Sequence, residues 1–334
     1  AGWDQGLARA WTVPLTGIAL LGFTWASARR LGFRFGLARP RLTPDLRRLA
    51  VIAVPAVLAG GVVQINLLVG RQVASFTEGA VAWLSYADRL YQLPLGVVGI
   101  AIGTVLLPDL SRRLRAGDAE GGRDSFNRGT EFALALTIPA AVALVVIAGP
   151  LCAVLYQRGA FAADDARATA LALAAYGAGL PAFVLQKVFQ PLYYARENTR
   201  APFRFALLAM LVNAGFAVAM MPVIGFMAAA LATTVSAWVM AGQLWWGARA
   251  MGPEAAFDAR LRERMPRILA AAVVMAAVLA VLAWALQAAL AAPGLRYAAL
   301  GVLVAAGSAA YFAAGFGLGA FRIAELRGAF RRQR

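Results

Sequence analysis

The sequence predicts an all-α fold, a polytopic membrane bundle of about nine transmembrane helices. Three observations carry this reading. The chain is 61% hydrophobic and only 14% charged over 334 residues, whereas soluble domains carry about 25% charged residues. The apolar residues fall into blocks near the ~20 residues that cross a bilayer. The basic residues between those blocks alternate, loop by loop, between many and few. Loops on the cytoplasmic side of a membrane carry such an excess of Lys and Arg.

The spans follow in order. The first covers about 11–28. The second covers about 49–73 and contains Pro55 and the Gly60–Gly61 pair. The third is expected over 81–107, continuing toward 114 as one long helix. The fourth, over 132–155, contains Pro139 and Pro150, and the fifth, over 168–194, contains Pro181, Lys187 and Pro191. The sixth covers 205–221, and a turn over 222–225 leads to the seventh over 227–246. The eighth covers 268–290 and the ninth 297–321. An odd number of spans places the two ends of the chain on opposite sides.

The charge distribution orients them. Of the 32 Lys and Arg residues, 25 lie in the connections after spans one, three, five, seven and nine; five lie on the other side, and Arg89 and Lys187 lie within spans. This predicts a cytoplasmic C-terminus and a periplasmic N-terminus for the chain. It also accounts for the net charge of +16 without nucleic acid, because basic loops meet anionic lipid headgroups. The opening residues lack a basic leader and a small-residue cleavage site, and they read as the middle of a longer chain.

Composition excludes several chemistries. There is no histidine and one cysteine, Cys152. A disulfide within the chain is impossible, His-based triads are excluded, and a zinc or copper site of the usual kind has no ligands. No catalytic residue, metal site or cofactor is predicted.

The third span carries the residues most in need of an explanation. Ser85, Arg89, Gln92, Gly96, Gly99 and Gly103 recur at spacings of four, three, four, three and four, which places them on one helix face. A cation at the centre of a span costs about 2.5–3.5 kcal/mol on insertion scales. A polar face is therefore expected to meet a cavity or another helix rather than lipid. Asp88 adjoins Arg89 and points elsewhere on the helix. Arginine suits anionic oxygens because it stays charged and binds them bidentately, so the face favours a phosphate or diphosphate. In span two, Gln64 and Asn66 point to different faces, so at most one joins this site. Lys187 sits between two prolines and is either a cavity cation or a snorkelling one. Asn213, Thr233, Thr234 and Ser236 read as helix-packing groups.

The segment ADRLYQLPLGVVGIAIGTVLLPDLSRRL, 87–114, resembles the MurJ (MviN) family of bacterial lipid II flippases, within the multidrug/oligosaccharidyl-lipid/polysaccharide exporter superfamily. QKVFQPLYYARENTRAP at 186–202, AGPL at 148–151 and LYQRGAF at 155–161 are similar to further segments of that family. The resemblance implies two six-helix lobes followed by a helix pair that cradles a lipid tail. It places the last helix of a first lobe and a basic linker at 1–44, the second lobe at 45–250, and the terminal pair with a basic tail at 251–334. It implies a non-enzymatic flippase of the inner membrane, with lipid II (a polyprenyl-diphosphate-linked peptidoglycan precursor) as its partner molecule. Arg89 is implied to hold the diphosphate, with Gln92, Ser85, Asp88, Lys187 and Gln64 as further substrate-site candidates. Two other readings stay open: a drug or polysaccharide exporter of the same superfamily, and a non-transporting scaffold that binds cell-wall synthesis proteins.

Overall fold

The computed structural model describes the backbone of residues 5–32 and 44–321; side chains are described over the same residues except 5–10 and positions scattered through 45–63 and 101–114. The arginine-rich stretches expected at 33–43 and 322–334 lie outside the described residues. In chain order the helices are α1 (Gln5–Arg30), α2 (Pro44–Ala74), α3 (Ala80–Ala101), a π-helical segment (Ile102–Leu106), α4 (Leu107–Arg115), α5 (Ala119–Val146), α6 (Ala148–Tyr156), α7 (Ala163–Tyr194), α8 (Arg200–Ile224), α9 (Met227–Ala248), two 3-10 turns (Arg249–Met251 and Pro253–Ala255), α10 (Ala259–Ala285), α11 (Gln287–Ala291) and α12 (Arg296–Gly317). No strand occurs among the described residues.

Among the described residues, seven helical stretches are long and apolar enough to cross a membrane. The chain is therefore a multi-pass membrane protein. The expected spans over 11–28 and 49–73 fall within α1 and α2, which are not among those seven. Two expectations change in detail. The fourth span is split into α5 and α6 at Ile147. Pro150 lacks the N–H that would bond to the carbonyl of Val146, four residues earlier, and falls in the first turn of α6, where a missing N–H is tolerated. The third helix is not one regular α-helix but is interrupted by the π segment. Val98, Ile102, Leu106 and Leu110 are all buried, yet a spacing of four drifts off a 3.6-residue face. The wider π turn absorbs that drift and keeps the four on one side.

The chain forms two compact units, Ala1–Ala50 and Val51–Arg334. In the first, Thr16 and Thr24 of α1 donate to the carbonyls of Thr12 and Leu20 at 2.7 and 2.8 Å, so these hydroxyls are satisfied within the helix. Its large apolar side chains, among them Ile18, Leu21 and Phe23, are exposed.

The second unit is arranged around α7, which packs against α3, α5 and α9. Helices in a membrane gain no hydrophobic drive toward one another, so small residues that permit close approach carry the packing. At Gly179 a Cβ would lie 2.9 Å from Thr234 Oγ1 and 3.3 Å from Thr234 Cα of α9. The approach lets Thr234 donate across the interface to the Ala175 carbonyl at 2.6 Å. At one end of the bundle, Trp83 Nε1 donates to Asp165 at 2.7 Å, tying the starts of α3 and α7 together. Gly79, just ahead of α3, has φ +81° and lies under the Trp83 ring, so neither the backbone nor the space admits a side chain.

At the other end, the connection from α9 to α10 is strapped onto α5. Arg123 donates to the carbonyls of Ala256 and Phe257, both at 3.2 Å, and Asn127 bonds both the Ala256 carbonyl and the Asp258 N–H. Glu131 then gathers three arginines. Arg128 and Arg264 reach it at 2.9 and 2.5 Å and Arg260 at 3.1 Å, with Arg264 almost wholly buried. Arg128 also pairs with Asp258, which caps α10 by accepting from Leu261 N–H. The terminal helices α10 and α12 pack on each other and α10 packs on α5; Tyr311 donates to the Ala135 carbonyl at 2.6 Å. Arginines dispersed along the sequence thus meet at one end of the bundle.

Removing one partner of a buried ion pair costs about 3–5 kcal/mol. Glu131→Gln is accordingly expected to lower the thermal midpoint of the purified protein and to raise hydrogen exchange over residues 249–264. Unchanged exchange there would show that the arginines do not depend on this carboxylate. Gly179→Val, which forces α9 away from α7, is expected to destabilise by about 1–3 kcal/mol, the usual cost of overpacking, read as the same thermal midpoint.

Candidate functional site

The predicted polar stripe of α3 lies on one face, as its spacing requires, but that face points out of the second unit. Ser85, Arg89, Gln92, Gly96 and Gly103 are exposed and Gly99 is half-buried. The face packed inward is the neighbouring one, carrying Leu84, Ala87, Tyr91 and Val98. Consecutive helical residues diverge by about 100°, so Asp88 and Arg89 separate. Arg89 stays outside, whereas Asp88 turns toward the interior and lines a cavity. Gln92, one turn on, donates its side-chain amide to the Asp88 carboxylate, and Ser85 donates to the Val81 carbonyl at 2.6 Å.

Two cavities adjoin Asp88 inside the unit. The larger, about 560 Å³, lies between α2, α3, α7, α8 and α9. Lys187 contributes the cation and Asp88 the anion, and Asn66, Gln186, Gln190 and Asn213 supply further polar atoms. The smaller, about 130 Å³, is lined by Ser85, Asp88, Arg71 and Asn66. The sequence-predicted site residues therefore divide. Asp88 borders both cavities, Lys187 the larger and Ser85 the smaller; Arg89, Gln92 and Gln64 line neither. Of the span-two pair it is Asn66, not Gln64, that faces the interior.

Local packing fixes these positions. The helix assignment of α7 continues through Pro181 and Pro191, and Lys187 runs along α3 where Gly99 leaves room. A Cβ at Gly99 would lie 3.2 Å from Lys187 Cδ. Gln186, beside it, donates to the Ala237 carbonyl at 2.9 Å, and Asn213 donates to Ser236 at 3.3 Å. Thr233 bonds the Ala229 carbonyl of its own helix. Asn66 Oδ1 is buried with no hydrogen-bond partner. Among the described residues no cluster of three or more acidic, cysteine or histidine side chains gathers.

Sequence reasoning passed over Gln186 and Gln190. A signal was present, since Phe183, Lys187, Gln190 and Tyr194 recur at spacings of four, three and four and all line the larger cavity. Asn213 and Ser236, expected to be packing groups, do bond to each other, and both also line that cavity. The site offers fixed positive charge at two places, Arg89 on the outer face and Lys187 inside. Such an arrangement can hold anionic oxygens.

Comparison with known proteins extends this geometry. The profile of the family described as "Lipid II flippase MurJ" matches residues 3–300. The probable lipid II flippase MurJ of Rhizobium meliloti (strain 1021) is 43% identical over 97% of this chain and 61% of its own length. That of Rhizobium tropici is 39% identical over the same shares. The chain thus spans about three-fifths of the length of these curated relatives. Among solved structures, a lipid II flippase MurJ in an inward closed conformation superposes with a TM-score of 0.66 at 23% identity, covering 83% of this chain and 56% of that one. An outward-facing multidrug resistance MATE family transporter of the MOP superfamily superposes with a TM-score of 0.50 at 16% identity, covering 80% of this chain and 64% of that one; these two likenesses speak for the fold alone. A profile match over most of the chain, joined to relatives at this identity, decides the family: the chain belongs to the MurJ lipid II flippases.

Proposed function

We propose that the chain forms the second lobe and terminal helix pair of a flippase that carries a polyprenyl-diphosphate-linked peptidoglycan precursor, lipid II, from the inner to the outer leaflet of a bacterial cytoplasmic membrane. The observation that carries the reading is Arg89, a permanent cation on the outward face of an apolar span, in a chain whose family is named for this substrate. Hydrocarbon is an expensive surrounding for such a residue. A central cavity between two lobes, holding a diphosphate, is a favourable one, because guanidinium and phosphate oxygens form charge-assisted bidentate bonds. Gly96 and Gly103 leave the same face free of bulk beyond Arg89, and Lys187 lies beside Gly99. Gln92 holds Asp88 aside, so the neighbouring carboxylate does not compete with the substrate for the arginine.

Transport follows by alternating access, the lobes rocking about the bound headgroup while α10 and α12 carry the lipid tail. The 25 basic residues on alternate connections set the arginine-rich end of the bundle in the cytoplasm. A membrane potential is worth about 2.3 kcal/mol per charge per 100 mV. With the inside negative it drives an anionic headgroup outward and returns the empty cationic site inward.

The gene encoding this chain is expected to support growth of a bacterium depleted of its own flippase, and Arg89→Ala is expected to abolish that support. Growth equal to the parent would overturn the role given to Arg89, and a scaffold would give that result. Loss of charge-assisted hydrogen bonds costs about 1.5–3 kcal/mol, so Arg89→Ala is also expected to weaken lipid II binding by roughly ten- to a hundredfold. Collapsing the potential with an ionophore is expected to slow flipping in vesicles; an unchanged rate would remove the electrical drive from the mechanism.

A further inference from the structure

The LYQRGAF segment, 155–161, takes no part in the site described above, yet the fold sets it beside Arg89. Tyr156 ends α6. A turn then closes with the Phe161 N–H on the Arg158 carbonyl at 3.2 Å, and Gly159 within it has φ +60°, a conformation that favours glycine. Phe161 thereby returns to Tyr156, with ring centroids 6.1 Å apart. Both rings meet Tyr86 of α3, Tyr156 at 4.8 Å and Phe161 at 5.2 Å. The Tyr156 hydroxyl donates to the Tyr86 carbonyl at 3.3 Å. The segment is braced from two sides. Arg296, at the start of α12, donates to the Gln157 carbonyl at 3.3 Å, and Asp165 accepts from both the Ala162 N–H and Trp83.

A ring gripped by two others would be buried in an ordinary packing cluster, but Tyr86 stays 42% exposed. Phe161 meets it edge-on at 81° and Tyr156 at a tilt of 49°. The neighbours hold the ring without covering it. Tyr86 stands three residues before Arg89, so the two are neighbours on the helix surface, with about 5–6 Å between their Cβ atoms. Both are exposed on the outward side of α3, together with Ser85. The charge of Arg89 also reaches Tyr156. A fixed cation therefore stands one helical turn from an aromatic ring that is held in place and open.

We infer that Tyr86 is a sugar platform, stacking on the pyranose joined to the diphosphate that Arg89 holds. The inference rests on the role given to Arg89 above and deepens it by naming the part of the substrate that this face selects. A peptidoglycan precursor carries its first sugar directly on the diphosphate, so a diphosphate at Arg89 brings that sugar within a helical turn. One face of a pyranose presents C–H groups with partial positive charge, and the face of an aromatic ring is the negative side of its quadrupole. The sugar hydroxyls lie round its rim, left to water and to the exposed polar residues of the turn, Gln157 and Arg158. Tyrosine is also common as an anchor at the membrane surface, but such an anchor faces lipid, whereas Tyr86 shares the face of the cation. Because Tyr156 and Phe161 fix the ring beforehand, little ordering is left to oppose binding.

Dissociation constants of the purified protein in lipid nanodiscs test this, measured for bare polyprenyl diphosphate and for the same lipid carrying one N-acetylated amino sugar. The parent is expected to hold the sugar-bearing lipid roughly two- to tenfold more tightly, the range of an aromatic contact. Tyr86→Ala and Tyr86→Leu are expected to remove that preference while keeping the affinity for the bare lipid, and Tyr86→Trp to retain it. Arg89→Ala is expected to weaken both lipids and leave the preference in place. No preference in the parent, or one that survives in both Tyr86→Ala and Tyr86→Leu, overturns the inference; a loss shared equally by the two lipids, as damaged packing gives, counts as survival. Saturation-transfer NMR with the methyl glycoside of the same sugar tests the platform without diphosphate or tail. Transfer to the sugar C–H protons is expected in the parent and in Arg89→Ala, and is expected to be lost in Tyr86→Leu. Absent transfer in the parent, or transfer that does not depend on Tyr86, overturns the platform and leaves the flippase reading standing. Unchanged binding of the bare lipid in Arg89→Ala sinks the diphosphate role instead, and leaves the glycoside result standing.

Discussion

Helix association without a hydrophobic drive is the constraint on which the second unit rests. Lipid tails are as apolar as leucine, so α7 gains little by leaving lipid for its neighbours unless contact is close and polar atoms are matched. The chain meets that condition on α7. Gly179 admits the backbone of α9, and the approach brings Thr234 within bonding range of the Ala175 carbonyl. Further along the same pair, Gln186 reaches the Ala237 carbonyl and Tyr193 the Leu244 carbonyl at 2.7 Å. Each of these side-chain bonds joins α7 to α9. The site depends on this axis, because it is α7 that holds Lys187 against α3 and presents Gln186 and Gln190 to the cavity.

Charge is handled differently in the two halves of the bundle. At the arginine-rich end, carboxylates are matched to guanidinium groups in a shared network, and Glu131 is bonded to three of them. That arrangement serves attachment, since it fixes the 249–258 connection and the start of α10 to α5. Within the apolar spans, charges are few and kept apart. Asp88 is bonded only to neutral Gln92, and Arg89 and Lys187 form no ion pair within 4.0 Å of a carboxylate among the described residues. Charges already matched in strong pairs have little left to offer a substrate or an ion. Charges left separate, Asp88 and Lys187 at cavities and Arg89 on the outer face, retain that capacity, and for this reason the functional reading is placed on the second group.

The order of the long helices, the broad positions of the seven spans from the third expected one onward and the shared face of Ser85, Arg89, Gln92 and the glycines were all legible in the sequence. Each follows from periodicity, which depends on local geometry. Three features were not legible. Periodicity says which residues share a face but not which way the face looks, so the stripe expected to meet a neighbour turned out to be the outward one of its unit. A run of apolar residues that contains several prolines does not reveal which of them accompanies a break, as Pro150 does beside Ile147 while Pro181 and Pro191 do not interrupt α7. Pairing of Glu131 with Arg260 and Arg264 joins residues about 130 positions apart, and no local rule couples them.

By itself, the sequence determined that this is a multi-pass helical membrane protein, and its motifs determined the family, because those properties are set by composition, spacing and residue identity along the chain. Only the tertiary structure decided which charges serve which space. Asp88 and Arg89 are adjacent in sequence, and a single helical step of about 100° sends one to the lining of two cavities and leaves the other on the outer face. That choice is made by Leu84, Ala87 and Tyr91 packing α3 into the unit, and it depends on distant helices that no window of the sequence contains.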